Sequence, residues 1–290
     1  IARSGSIVGG GGASAIHIAT ADLLLHSGSG IGVANSPLLT SVETLSARAM
    51  NGGVFLTETD ALEITGVSVG INRVTESGGA DALSPDVQED ITTIGETAHV
   101  VLTTLDGSLT ISGGTDVTGV TSQGNVLLVA GELGVSGSAN MVLNAAVSLT
   151  AGDISARSAG SIELGAAGGV LVGGLGKTID LQARTGLTMA ATAAIVSNEG
   201  TVVLATEQGD VTLGEISTGA AGSTTGQVGV VAAQGSIVDN DSETVSNITA
   251  GDLMLLAAQA IGPCHQYPDG LVLFLGTMFA PTQDRHGPGQ

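Results

Sequence analysis

The chain has 290 residues, 27 acidic against 7 basic, and a net charge of −20, which excludes the Lys/Arg-dependent chemistry of nucleic-acid binding and of docking to anionic membranes. Glycine contributes 46 residues while Trp is absent, Tyr occurs once and Phe three times, so any core must be built from thin aliphatic layers. Charged residues are nevertheless sparse and apolar ones abundant, a balance that excludes a disordered acidic tail.

The chain opens with IARSGSIVGG, which holds neither an initiator Met nor the long apolar run of a signal peptide. The start in mid-phrase leads us to expect a piece of something longer. GSIV at 5–8 returns at 235–238, and ADLLLHSGSGIG at 21–32 returns as GDLMLLAAQAIG at 251–262, in both cases at an offset of 230 residues without a gap. Within these phrases Ile18 answers to Ile248, Asp22 to Asp252, Leu25 to Leu255 and Ile31 to Ile261. His17 and His26 flank the first apolar strand, but their counterparts are Asn247 and Leu256, and no third metal ligand lies in reach. They read as one surface and one half-buried histidine.

Further along, Ser36-Pro37 before LLTSVETLSARAM allows a short helix, whereas the alternation of Leu45, Ala47 and Ala49 favours a strand. The polar, broken stretch TESGGADALSPDVQED reads as an excursion at about 75–95. From there Gly or a polar residue introduces one alternating run after another: HVVLTT, SLTIS, NVLLVA, NMVLNA, SIELG, TIDLQA, TVVLA, DVTLG and QVGVVAA. Corresponding runs recur roughly every 17 to 26 residues, a repeat signature. Hairpin dipeptides are too few for an antiparallel meander, since only Asn51-Gly52 and Asp106-Gly107 qualify. Narrow coils with glycine corners remain: an all-β parallel β-helix, or β-solenoid, of about eleven or twelve coils, on the order of 55 Å long at roughly 4.8 Å per coil.

Several motifs invite sharper readings. GGLGKTID at 173–180 has Leu171 where a phosphate loop needs glycine, and alternating residues where it needs a helix, so a glycine corner with a solvated lysine is the better reading. DNDSE places Asp239, Asp241 and Glu243 at alternating positions, a weak calcium candidate that lacks both the sixth-position glycine and the twelfth-position acid of a calcium loop. A polysaccharide-cleaving site needs two converging carboxylates. Asp153, Glu163, Asp180, Asp210 and Glu215 could line a face, but they do not cluster in the sequence and aromatic rings for sugar stacking are scarce. Threonine is too irregular for an ice-binding array. We therefore expect neither catalysis nor a cofactor.

The stretch GIGVANSPLLTSVETLSARAMNGGVFLTETDALEITGV at 30–67, with the two GSIV-led phrases, resembles a unit of the filamentous-haemagglutinin-like secreted exoproteins and adhesins of Gram-negative bacteria. That resemblance covers about 3–262. It implies a right-handed parallel β-helix, an extracellular or cell-surface location, no membrane insertion of this segment, and a role in adhesion, aggregation or biofilm. The implied partners are host or bacterial surface molecules, glycan or protein; the rival is a carbohydrate-active enzyme on the same fold. From Pro263 the rhythm stops, and the tail 263–290 carries the single Cys, the single Tyr and four of six Pro. We expect it to be partly disordered, with only the apolar stretch 271–280 docked.

Overall fold

Period-2 alternation of aliphatic and polar side chains gives each run one dry and one wet face, and glycine after each run lets the chain turn. The computed structural model describes residues 1–10, 15–83, 87–131, 138–219, 225–240 and 246–262, apart from the side chains of 170–174, and the backbone alone of 272–275. Among these residues there is no helix. Strand follows strand into three parallel ladders, each strand bonded to its equivalent one coil away.

The first ladder comprises Val54–Glu58, Val100–Thr104, Val126–Ala130, Ile154–Ser158, Ile179–Ala183, Thr201–Thr206, Gln227–Ala232 and Asp252–Ala257. The second runs through Leu62–Ile64, Leu109–Ile111, Met141–Leu143, Ser161–Leu164, Gly186–Met189, Val211–Leu213 and Ile237–Asp239. The third takes Ile91–Thr93, Thr118–Ser122, Ala146–Leu149, Val170–Leu175, Ala194–Asn198, Glu215–Ser217 and Ile248–Thr249. Two longer strands, Ile18–Ser27 and Leu38–Ala49, precede them and pair in parallel. Leu38–Ala49 then pairs with the next coil on all three faces, so the Ser36-Pro37 stretch leads into a rung.

The result is a parallel β-solenoid of about nine turns, not eleven or twelve. The count falls because each turn consumes three strands, and because the described residues between 65 and 90 add no rung. Instead, Ile71–Val74 and Ala80–Leu83 leave the stack as an antiparallel hairpin. At roughly 4.8 Å per turn the rod is about 43 Å long.

Inside, residues of one size stack on one another. Val54, Val100, Val126, Ile154, Ile179 and Val202 form one buried column on the first face. Leu62, Leu109, Met141, Ile162, Leu187 and Val211 form another on the second. Buried hydroxyls then close the corners. Ser27 Oγ donates to the carbonyl of Gly30 (3.0 Å), Thr104 Oγ1 to that of Gly107 (2.9 Å) and Thr206 Oγ1 to that of Gly209 (2.6 Å). Gly107 holds a φ of +87°, a left-handed conformation that glycine adopts without a Cβ penalty.

The recurring phrases fold alike. Ile7 bridges Ile31 and Ile237 bridges Ile261, both in parallel. The hydrogen bonds match too: Ile7 N to Gly30 O (2.9 Å) and Gly32 N to Ile7 O (2.8 Å) correspond to Ile237 N to Ala260 O (2.8 Å) and Gly262 N to Ile237 O (2.9 Å). In the tail, the backbone of Val272–Leu275 pairs in parallel with Met254–Ala257. The expectations for 263–270 and 281–290 fall outside the described residues.

These columns predict a sharp contrast between neighbours. Leu204→Ala removes a fully buried side chain and should cost about 2–5 kcal/mol, while Val203→Ala on the outer surface should cost less than about 1 kcal/mol. Urea denaturation of the two variants checks this.

Candidate functional site

The five acids suggested by the sequence are dispersed over the coil. Asp153 and Asp210 sit at corners, where their Oδ1 atoms accept the backbone N–H of Thr178 (2.8 Å) and Ser236 (2.7 Å) one coil on. Asp180 points outward on the first face and accepts from Gln182 Nε2 (2.9 and 3.1 Å). Glu163 is exposed on the second face and Glu215 on the third. The three outward-facing acids thus stand on three different faces, and the two corner acids are engaged in joining coils.

The remaining sequence candidates take structural positions. Asp239 Oδ1 accepts from Asn247 Nδ2 (2.9 Å), while Asp241 and Glu243 lie outside the described residues. His17 Nδ1 accepts the N–H of Leu39 (2.9 Å), and His26 lies level with Arg48 of the next coil. Strand Ile179–Ala183 follows Lys177, so the helix a phosphate loop requires is not there. Among the described residues no group of three or more His, Cys, Asp and Glu could hold a metal ion, and no helix is long and apolar enough to cross a membrane, which says nothing of a β-barrel.

Two carboxylates that sequence reasoning missed are buried. Glu58 ends its strand at a corner position that Thr104, Ser158 and Thr206 occupy in other coils. It is fully satisfied there, accepting from Thr40 Oγ1 (2.6 Å), Val42 N (3.2 Å) and Thr59 N (2.9 Å). Glu58 is therefore a tie between coils. Asp90 differs. It re-enters the rod at the foot of the hairpin with a φ of 62°, is only 7% exposed, and its Oδ1 has no partner. Its carbonyl accepts from Ala47 N (2.9 Å) and Ser46 Oγ (3.2 Å), which pins the excursion to the stack.

Burial, and then the negative charges of Asp116 and Glu89, push the Asp90 carboxyl up to about 7 from 3.8. Between these values the folded chain holds a proton that the unfolded chain has released. Stability from this group is therefore full below about 3.8 and is lost as pH rises through about 7. Asp90→Asn should flatten this component and raise the melting temperature relative to wild type at pH 8, but not at pH 4. Thermal melts of both proteins at the two pH values check it.

A different feature opens on the first face. Phe55, His99, Val101, Asn125, Leu127, Asp153, Ser155 and Arg157 line a groove of about 390 Å³ that crosses four successive strands. Phe55, Val101, Leu127 and Ser155 form one outward column, in register from coil to coil. Phe55 is the only aromatic residue whose side chain is described, and it is turned away from the core. Glycines make room for both rings: a Cβ on Gly53 would sit 3.2 Å from Phe55 Cε2, and one on Gly124 only 2.7 Å from His99 Nδ1.

The rim of the groove is polar and its atoms are oriented by the coil. His99 Nδ1 accepts the N–H of Asn125 (3.0 Å), so the neutral ring carries its proton on Nε2. Asn125 Oδ1 accepts the N–H of Asp153 (3.0 Å), which leaves its amide hydrogens to face solvent. Arg157 is exposed and makes no ion pair among the described residues. The alternation VFLTE and ISARS carries the signal for Phe55 and Arg157, because placing Val54, Leu56, Ile154 and Ala156 inside turns both outward.

Comparison with protein-family models, with curated proteins and with solved structures finds no match.

Proposed function

We propose that this chain is a non-catalytic structural and adhesive segment of a large bacterial β-helical exoprotein, presented at the cell surface or secreted, whose work is reach and display. One observation carries the reading. The five acids that hydrolytic or lyase chemistry could have used are spent on joining coils or stand on separate faces, while one outer groove of the first face has an apolar floor and a rim of hydrogen-bonding side chains. The resemblance of 30–67 to filamentous-haemagglutinin-like units and the return of one coil at both ends of the described rod support the same reading. The partners are host or bacterial surface molecules, met through the outer faces and the hairpin at 71–83. The chain needs no cofactor for this role.

Two measurements test the proposal. The chain should bind a subset of immobilised glycans or cell-surface extracts, and should release no reducing ends or unsaturated products from pectin, alginate, hyaluronan or glucans. Turnover that disappears in Asp180→Asn or Asp210→Asn chains would replace the adhesive reading with the enzymatic one.

A further inference from the structure

Resting on the adhesive reading, we infer that the Phe55–Arg157 groove is a binding site for a short carboxylated saccharide, a uronate-containing oligosaccharide lying along the rod axis.

The shape of the groove comes from the ladder. Its floor of Phe55, Val101 and Leu127 climbs one residue per coil, in steps of about 4.8 Å, and Ser155 and Arg157 stand one coil further on. The ends of the groove are therefore about 14 Å apart, the span of a few sugar rings. A pyranose presents an apolar C–H face and a polar edge. The floor offers the first a flat surface with a phenyl ring at one end, and the rim offers the second the Nε2–H of His99, the amide of Asn125 and the hydroxyl of Ser155. An extended peptide would gain little here, because the backbone of these strands is already bonded to the coils on either side.

Charge narrows the ligand. Arg157 is a guanidinium without an ion-pair partner among the described residues, on a chain of net charge −20. Its planar fork suits a single carboxylate in a bidentate pair, whereas the surrounding field repels densely charged polymers. An oligosaccharide short enough to carry only a few carboxylates in all satisfies both conditions. Asp153 keeps its negative charge while its Oδ1 accepts from Thr178 N, but it stands four residues along the strand from Arg157, roughly 13 Å away, so the ligand carboxylate belongs at the Arg157 end.

Trigalacturonate is the acidic probe and cellotriose the neutral one, titrated calorimetrically into the whole 290-residue chain. Wild type should bind trigalacturonate more tightly than cellotriose. Arg157→Gln should weaken trigalacturonate by about tenfold or more and leave cellotriose unchanged. Phe55→Leu, an outward substitution that keeps the rung apolar, should weaken both sugars. Circular dichroism confirms that both variants keep their β-structure. Absence of trigalacturonate binding by wild type, or wild-type affinity in both variants, overturns the site. Adhesion to cells that survives in both variants overturns this groove as the ligand site while leaving the adhesive reading standing. Conversion of trigalacturonate to unsaturated product overturns both.

Discussion

Everything in this molecule depends on the bond from each strand to its equivalent one coil away. Parallel ladders fix the spacing between coils, and with it the level of every side chain. An inward residue then has no freedom to choose its neighbours: above and below it must lie residues of similar size. Valine and isoleucine stack on the first face for this reason, and the absence of tryptophan follows from the narrowness of the cross-section. A ring in one coil would demand a matching void or ring in the next. The one aromatic side chain described in the rod is accordingly outside it, where no such demand exists.

The same bond shapes the corners. Backbone groups released at each turn have no strand partner and must find another. Serine and threonine at strand ends meet this need within their own coil, as Thr104 does for Gly107. His99, Asn125 and Asp153 meet it between coils, each accepting an N–H from the next level. Polar residues that look available for chemistry in the sequence are thereby tied to the frame. Two buried atoms stay bare among the described residues: His17 Nε2, and Asp90 Oδ1 where the chain returns from the hairpin.

Legibility in the sequence follows the same division. The strands and their parallel stacking were readable, because period-2 alternation led by glycine has one simple structural meaning and because the coil at 5–32 reappears at 235–262. The number of turns was not. Leu38–Ala49 spans all three faces without a glycine to mark the corners, and the excursion, legible from its polar composition, begins earlier than that composition shows, at Ile71. Glu58 and Asp90 were hidden for a related reason: a carboxylate at an inward or corner position is recognisable only once the coil's register is known. The groove was half visible. Alternation tells that Phe55 and Arg157 point outward, but their shared surface exists only because coils three levels apart are aligned.

The ladders also determine how the rod answers to force. Tension applied along the axis between its two ends does not shear many bonds together, since each coil is held to the next by three short ladders loaded in opening. The weakest level yields first, and its neighbours are untouched until it has gone. One coil of about 25 residues pays out roughly 80 Å of chain at the extended limit, against the 4.8 Å or so that it spans when wound. A load tethered through such a rod would hang on a spool, with each released turn absorbing a tug before the next is strained. Rewinding needs only the neighbouring coil as its template.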